Sequence, residues 1–404
     1  MEQVPLNNNR KPYIETYLPF YSVLAIYKVG PLPLSTIGLM VVLLLMAHDN
    51  HGRIRARRDN RYLIFLGYVV IRDIIRMLLG HDEIQTQINR LIEYSIVYVL
   101  VIFVCAEGFN ENRLYKSWKI AGLIYSIGLL YQLVLVNVFG QRVGPISLIP
   151  GYSIRPNDYL MMVSRPSSFF TEPASFVNAM IPLEFMALRR RDFRVATVVS
   201  LIILSSTSTV GIILSAILWV ATLWRRESKK RTKVIAIISL AVIVYFFSNL
   251  SIFNESLSKL IRVAEGGSTF GSRVVTGFEI VKAQSLPELI IGTEYNELAN
   301  FIRDHSLLFS KDSIVGLYWN NGQGDVFINT FGQLMFRYGI VGLILFLLPL
   351  INYMKSKTYS AKAFSIMVVA AIFGQSMLLN SYYFMVIMLL LLYEHVKAQE
   401  EIIE

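Results

Sequence analysis

SRPSSFFTEPASFVNAMIP, residues 164–182, joins a polar turn to an apolar run that continues to Leu188. Proline fixes φ and lacks an N–H group, so it suits the first turn of a helix and is disfavoured further in. We therefore predict that a helix begins near residues 171–173. Glu172 would then lie at the positive end of the helix dipole, where a carboxylate is favoured.

Two charged residues lie close to this predicted helix start, one before it and one within it. Arg165 carries a planar fork of donors, and Glu172 carries a carboxylate. A cation and a carboxylate held beside a buried helix are the parts of an anion-handling site. The alternative is an ion pair that fixes the start of the helix, since ion-pair networks are common. These residues alone do not separate the two interpretations.

The composition predicts an integral membrane protein. Of 404 residues, 54% are hydrophobic and only 16% are charged, and the mean hydropathy is +0.51. Soluble domains carry about 25% charged residues. We expect an all-α fold, a polytopic helical bundle that forms one transmembrane domain over residues 1–404. Cys105 is the single cysteine, so the chain can form no internal disulfide.

The apolar segments predict about 11–12 transmembrane helices. The first segment is short, and whether it spans the membrane stays open. The two segments on either side of SSTST, residues 205–209, are also short and predict a helical hairpin that turns inside the membrane. The segments are residues 17–27, 34–46, 62–79, 91–105, 120–138, 174–188, 195–204, 210–224, 234–247, 331–351, 363–379 and 382–393.

Basic loops predict the orientation. Five loops rich in Arg and Lys alternate along the chain, so the positive-inside rule places all of them in the cytoplasm with both termini. Residues 140–171 and 248–330 then form outer loops. This distribution explains most of the net charge of +10 as topology and lipid affinity rather than nucleic-acid binding. The basic loops are residues 51–61, 107–119, 189–194, 225–233 and 355–362.

The outer loops contain arginines that topology does not require. Arg155 and Arg165 lie in the first loop, and Arg262 and Arg273 enclose a glycine-rich stretch in the second. The guanidinium fork binds phosphate well, and glycine lets the backbone approach a ligand. No phosphate-loop or dinucleotide pattern follows, so solvated surface charge is the alternative.

Other polar residues also have two interpretations. Asp325 precedes an apolar run, where it can act as an acid or as a plain helix N-cap. Arg72 and Arg76 share one face of a predicted span near its outer end. Charges there are costly, so they either pair with Asp73 or Glu93 or reach a lipid phosphate.

Short motifs resemble those of Wzy-type O-antigen polymerases. They are RPSSFFTEP at 165–173, SSTST at 205–209, GSTFGSR at 267–273 and FGQLMFRYGIVGL at 331–343. The resemblance implies a fold similar to GT-C glycosyltransferases in the bacterial inner membrane. It also implies that a glycan on undecaprenyl pyrophosphate is joined to another lipid-linked repeat unit at the periplasmic face.

The resemblance also implies roles for individual residues. Arg165 and Arg273 would bind the pyrophosphate, and Glu172 would act as base or orienter for the acceptor hydroxyl. No metal or cofactor is expected, because arginines can stabilise the leaving group. Expected partners are the lipid-linked substrates, membrane lipid, a chain-length regulator and a flippase, and not nucleic acid. Substrate-binding roles would fall to Arg155, Arg262, Asp325, Asn329, Arg72 and Arg76.

Two rival functions remain at this level. O-antigen ligases carry His-Asn where this chain has Ile328–Asn329, which favours a polymerase. A flippase for the same lipid-linked sugar should show duplicated halves, and we find no repeat. Convergence of Arg165, Glu172 and Arg273 in one outer cavity is expected of an enzyme, whereas scattered positions are expected of a scaffold.

The predicted orientation can be tested with reporter fusions at Lys230 and Ser285. We expect the two reporters on opposite sides of the membrane, because Lys230 lies in the basic loop 225–233 and Ser285 lies in the large outer loop. Side-specific reporter activity measures this. Both fusions on the same side would contradict the orientation.

Overall fold

The computed structural model describes the greater part of the chain. It covers residues 11–30, 32–52, 60–80, 84–107, 109–150, 152, 165–223, 230–249, 254, 258, 269–322, 326–355 and 359–403. Within these ranges the protein is almost entirely helical, and the strands are one short antiparallel pair, Lys28–Val29 with Leu32–Pro33. The predicted all-α class is therefore confirmed for the described part.

The helices follow the predicted apolar segments. Short 3-10 turns lie at Leu18–Phe20, Cys105–Glu107 and Ser306–Leu308. The α-helices are α1 Tyr13–Tyr17, α2 Tyr21–Leu24, α3 Leu34–Asp49, α4 Asn60–Leu79, α5 Ile84–Val104, α6 Glu111–Asn137, α7 Pro173–Arg189, α8 Phe193–Ser205, α9 Thr209–Leu223, α10 Lys230–Asn249, α11 Thr269–Ala283, α12 Leu286–Ile291, α13 Leu298–Asp304, α14 Ile314–Asn320, α15 Thr330–Lys355, α16 Tyr359–Gly374 and α17 Ser381–Ile403.

Three helical stretches are long and apolar enough to cross a membrane, namely Gln87–Val104, Glu111–Asn137 and Thr330–Ile351. Shorter apolar stretches occur in α3, α8, α9, α10, α16 and α17. Large apolar side chains stay exposed along α6, with Ile120 at 60% and Leu123 at 62%. Extended exposed apolar surfaces are unusual in soluble monomers and mark contact with a membrane or a partner.

Helices α7 and α17 form the centre of the bundle. In α17 every residue from 382 to 392 is buried, and α7 is buried over most of its length. A helix that is buried on all sides is surrounded by other parts of the protein. Accordingly α7 packs against α6, α8 and α9, and α17 packs against α5.

Residues 11–27, which include the first predicted span, run along α3 in the opposite direction. At one end the Tyr13 hydroxyl donates to the Asp49 carboxylate at 2.8 Å, where α3 ends. At the other end the Leu34 N–H, where α3 begins, donates to the Tyr27 carbonyl at 2.8 Å. The run is broken into α1, a 3-10 turn and α2, yet it covers the same depth of the bundle as α3.

Two of the predicted basic loops, 107–119 and 189–194, meet at one end of the bundle, which we call the basic end. Arg189 Nη1 lies 3.0 Å from Glu111 Oε2. The Tyr115 hydroxyl donates to Asp192 at 2.8 Å. The opposite end, which we call the loop end, holds residues 140–150 and the start of α7. This pairing of loops agrees with the alternation in the sequence.

The described part of the predicted large loop, residues 269–322, folds into the small helices α11–α14. Together with Val326, Ile328 and Phe336 they form a separate apolar core. This helical unit, which we call the cap, packs on α15 through α11 and α12. The sequence predicts a helix over residues 274–283, and α11 confirms it.

The packed face of α11 differs from the predicted one. The apolar pattern predicts that Val274, Val275, Phe278 and Val281 share one face. In the structure Val275 and Phe278 are each 43% exposed. The buried face instead carries Thr276 and Ile280. The reason lies in Gly277, where an added Cβ would come within 2.7 Å of the Asn329 side chain. Small residues on this face let α11 approach α15 closely, which apolar periodicity does not reveal.

One cluster attaches the cap to the bundle. Arg72 on α4 donates to the carbonyls of Ile291 at 2.6 Å, Gly292 at 2.5 Å and Thr293 at 2.8 Å, where α12 ends. These carbonyls need partners because the end of a helix leaves them unsatisfied. Gly292 has φ +87° and lies against the kink of α15. We call this cluster the cap clamp.

Gly292→Ala should loosen the cap. An added Cβ would collide with the Arg337 carbonyl oxygen, and the positive φ is strained for alanine. We expect a loss of at least about 2 kcal/mol in the opening free energy of the cap, measured by hydrogen exchange of α11 and α12.

Gly322→Ala is the matched control. Gly322 also has a positive φ, +72°, but no atom lies within 4 Å of an added Cβ. We expect only the conformational cost of about 1 kcal/mol there. Equal effects of the two substitutions would show that the close contact at Gly292 contributes nothing.

Candidate functional site

The polar turn before α7 is held by one glutamine. Gln132 on α6 is 1% exposed. Its Oε1 accepts from the N–H groups of Ser167 at 2.8 Å and Ser168 at 2.6 Å. Its Nε2 donates to the carbonyls of Gly144 at 2.7 Å and Ser168 at 3.2 Å. One side chain thus bonds four backbone groups, and three of them, the N–H groups of Ser167 and Ser168 and the Gly144 carbonyl, depend on it, since the Ser168 carbonyl also accepts from Ile146 N at 2.9 Å.

Additional bonds fix the shape of this turn. Ser168 adopts φ +58°, which is uncommon for a residue with a Cβ. Its hydroxyl donates to the Tyr125 carbonyl at 2.8 Å, and the Ser167 hydroxyl donates to the Phe170 carbonyl at 2.6 Å. The turn therefore has one defined conformation, and it sets the position of the residues that follow.

Helix α7 begins at Pro173, as the sequence predicts. Glu172 is the N-cap residue, with extended backbone at φ −143° and ψ 150°. Its side chain makes no capping hydrogen bond. The carboxylate lies instead at the wall of a cavity of about 380 Å³ at the loop end.

This cavity, which we call the Glu172 cavity, is lined by segments distant in sequence. The end of α2, the start of α7, Phe327 and the connection from α16 to α17 form its walls. Ser175 and Asn178 continue the polar side of α7 below Glu172. The N-termini of α7 and α17 both face this space, and helix N-termini favour negatively charged atoms.

Three polar atoms in the walls are buried and have no hydrogen-bond partner among the residues that the structure describes. They are Asn178 Oδ1, Gln375 Nε2 and the Tyr382 hydroxyl. Their residues are only 8%, 4% and 4% exposed. A buried polar atom without a partner costs about 1–3 kcal/mol, so such atoms normally meet water or a ligand. The set combines an acceptor, a donor and a hydroxyl, which is suited to binding hydroxyl groups.

The segment carrying Gln375 is firmly placed. The Gln375 carbonyl accepts from Thr330 N at 2.7 Å and from Thr330 Oγ1 at 2.6 Å. Thr330 Oγ1 in turn accepts from Met377 N at 2.8 Å. The backbone between α16 and α17 is therefore tied to the start of α15, which places Gln375 in the cavity wall.

Arg165 contacts the hairpin of α8 and α9. Its Nη2 donates to the Thr207 carbonyl at 3.0 Å, and its Nε lies 3.4 Å from Thr207 Oγ1. Thr207 lies in the SSTST turn, whose residues are buried, so the predicted helical hairpin is present. Arg165 is not among the residues that line the Glu172 cavity. The convergence expected of an enzyme is thus not seen for Arg165 and Glu172.

Arg76 is fully buried at 0% exposure. Its Nη2 lies 3.2 Å from Asp73 Oδ1, and its other nitrogens donate to Asn296 Oδ1 at 3.2 Å and the Arg337 carbonyl at 3.0 Å. The structure therefore contains the pairing with Asp73 that was one of the two alternatives. Arg72 is likewise occupied by the cap clamp. Both guanidinium groups are therefore engaged by protein atoms in this structure.

Asn329 has a structural position. It is 0% exposed, its Oδ1 accepts from Gly332 N at 2.8 Å, and its Nδ2 donates to the Phe373 carbonyl at 2.9 Å. It caps α15 and ties it to α16, so both polar groups have a partner in the protein, and the substrate-binding role predicted for Asn329 stays a prediction.

The structure does not describe the side chains of the remaining predicted site residues. Arg155, Arg262 and Asp325 lie outside the described residues. The backbone of Arg273 lies in α11, and its side chain is outside the description. The roles predicted for these four residues stay predictions.

Sequence reasoning missed Asn178, Gln375 and Tyr382. A signal for the first two was present, since each is a polar residue inside a predicted apolar span. Such residues usually face the interior of the bundle and mark a functional site. Tyr382 carries no such signal, because tyrosine is common near the ends of spans.

Comparisons with known proteins leave the family open. No family model matches the chain, and no curated protein matches it. Among the described residues no three His, Cys, Asp or Glu side chains come together as a metal site would require. The geometry of the site therefore carries the functional argument.

Gln132→Leu should destabilise the protein strongly. It leaves the N–H groups of Ser167 and Ser168 and the Gly144 carbonyl without their partner, and a network loss of this kind costs at least about 2 kcal/mol. Thermal unfolding in detergent measures the change. Gln85→Leu is the matched control, because Gln85 is exposed and bonds only Asn89, at 3.4 Å. Equal unfolding temperatures for the two variants would show that the bonds of Gln132 do not stabilise the turn.

Proposed function

We propose that the protein is an integral membrane glycosyltransferase that joins lipid-linked repeat units of a surface polysaccharide. The observation that supports this most is the Glu172 cavity. It combines a carboxylate at the N-terminus of α7 with three buried polar atoms that lack partners. Together with the resemblance of the motifs, this favours a polymerase that uses undecaprenyl-pyrophosphate-linked oligosaccharides.

The exposed apolar surface supports a location in the membrane. The long apolar stretches in α5, α6 and α15 would span the bilayer, with the shorter apolar helices completing a bundle of about 11–12 spans. We propose that the basic end faces the cytoplasm with both termini and that the loop end and cap face the periplasm. The Glu172 cavity then opens on the side where lipid-linked glycans are polymerised in the bacterial inner membrane.

The proposed reaction uses Glu172 directly. The acceptor hydroxyl attacks the anomeric carbon of the donor, and its oxygen forms the new glycosidic bond. The bond from that carbon to the pyrophosphate oxygen breaks, and the pyrophosphate leaves with the electron pair. The hydroxyl proton passes to the Glu172 carboxylate, which also orients the hydroxyl beforehand.

The negative charge of the leaving group needs stabilisation. The N-termini of α7 and α17 supply partial positive charge at the cavity. Arg273 remains the proposed cation from the cap. Arg165 can serve as a second cation only if it shares or gives up its bonds to Thr207. Its alternative role is to hold the α8–α9 hairpin against the turn before α7.

A polymerase is favoured over a ligase by the segment before α15. Ile328 is 8% exposed and belongs to the core of the cap, and Asn329 caps α15. Neither side chain can accept a proton there. Deleting the gene separates the two functions, because loss of a polymerase leaves a single repeat on the lipid core. Loss of a ligase instead removes every capped form and accumulates lipid-linked polymer.

Glu172→Gln tests the proposed chemistry. The amide keeps the shape of the side chain and loses the charge, so polymerisation should slow by on the order of 10²-fold or more. The polysaccharide size ladder measures this, together with the amount of protein in the membrane.

Asp312→Asn is the matched control, because it removes one carboxylate from an exposed position of the cap. We expect its ladder to stay normal. If Glu172 only stabilises the start of α7, Glu172→Gln lowers stability by about 1 kcal/mol and leaves the ladder intact. That result would exclude Glu172 as the base, and Asp325 would become the candidate for that role.

A further inference from the structure

A second cavity lies under the cap, at the outer end of α5. Its volume is about 220 Å³, and its lining is almost entirely polar. Arg90 from α5 and Arg337 from α15 form one side, and Asn296 and Glu297, just before α13, form the other. Val326 closes it. We call it the Arg90–Arg337 cavity.

The two arginines give this cavity a positive balance. In the part of the chain that the structure describes, the Arg90 guanidinium makes no hydrogen bond or ion pair. Arg337 Nη2 donates to the Asn296 carbonyl at 3.4 Å, near the limit for such a bond, and the Arg337 guanidinium also interacts with Tyr338 and Asp73. Arginines with unused donors in a concave site are typical of carboxylate or phosphate recognition.

The carboxylate of Glu297 makes some anions a poorer fit for the Arg90–Arg337 cavity than others. A pyrophosphate carries at least two negative charges and would be repelled by a carboxylate in so small a space. A sugar carboxylate carries one negative charge, which the two guanidinium groups can bind. The neighbouring sugar hydroxyls can donate to Glu297, since a carboxylate accepts several hydrogen bonds. The residues therefore fit an acidic sugar better than a phosphate.

The position of the cavity relates it to the Glu172 cavity. Val326 lines the Arg90–Arg337 cavity, and the next residue, Phe327, lines the Glu172 cavity. Residues 326–329 are neither helix nor strand in the structure, and adjacent Cα atoms are about 3.8 Å apart. One short segment thus has a cavity on each of two sides, close enough for one oligosaccharide to reach both.

We propose that the Arg90–Arg337 cavity binds the carboxylate of an acidic sugar, and that the repeat unit of this polymerase contains a uronic acid or a related residue. The second part rests on the proposed function. The first part does not, since binding of a carboxylated sugar can be measured without any reaction.

The test uses the full chain in detergent or in lipid nanodiscs. Glucuronate is titrated against it and compared with glucose, and saturation-transfer NMR reports the bound sugar. We expect millimolar binding of glucuronate and much weaker binding of glucose. Arg90→Gln should weaken glucuronate binding by on the order of 10-fold or more, because it removes a charge-assisted bond to the carboxylate.

Arg303→Gln is the matched control. Arg303 lies in the same cap, its side chain is 60% exposed, and it pairs with Asp304 at 3.1 Å. This variant removes the same charge outside the cavity, so glucuronate binding should be unchanged. Equal binding in both variants would overturn the site, as would equal binding of glucose and glucuronate. Tight binding of pyrophosphate that Arg90→Gln abolishes, without glucuronate binding, would replace the sugar by a phosphate.

The two proposals fail separately. Glu172→Gln should leave glucuronate binding intact, since Glu172 does not line this cavity. A normal size ladder in Glu172→Gln with glucuronate binding that depends on Arg90 would reject the proposed catalysis and keep the acidic-sugar site. A collapsed ladder in Glu172→Gln, with no glucuronate binding to the unaltered protein, would support the proposed catalysis and reject the acidic-sugar site.

Discussion

The bonds of Gln132 are the interaction on which the site depends. Inside an apolar bundle water is scarce, so each backbone N–H and C=O group of a turn needs a partner from the protein. The turn at Ser167 and Ser168 cannot form helical bonds, and Gln132 supplies its partners from the neighbouring helix. With the turn fixed, Pro173 starts α7 at one defined depth, and Glu172 is held at the cavity wall.

The need of buried polar groups for hydrogen-bond partners also indicates which ligands suit the Glu172 cavity. A bundle that provides partners for the turn leaves Asn178, Gln375 and Tyr382 with unpaired polar atoms a short distance away. Water can pair with such atoms when no ligand is bound, so a ligand that displaces it must supply equivalent hydrogen bonds. Sugar hydroxyls do so, whereas an apolar lipid tail does not. The unpaired atoms therefore favour a glycan over a lipid chain as the occupant.

Sequence reasoning predicted the elements well and the contacts poorly. Apolar runs located the helices, and Pro173 located the start of α7, because both depend on local periodicity and backbone geometry. The packed face of α11 was missed, since it depends on how closely Gly277 approaches α15. The polar walls of the Glu172 cavity were missed for a similar reason, because Asn178 and Gln375 are distant in sequence and meet only in the packed bundle.

Residues 326–329, which precede α15, lie between the two cavities and set the distance between them. The end of this segment is fixed by Asn329, which caps α15 and bonds to α16, and Ile328 is anchored in the core of the cap. Phe327 and Val326 therefore have little freedom, and the distance between the cavities is set by the fold. A sugar held in one cavity would then place the next part of the same glycan at a constant offset in the other. In the proposed reaction, rigid spacing of this kind would select which hydroxyl reaches Glu172, because misplacement by about 1 Å can cost on the order of 10²-fold in rate.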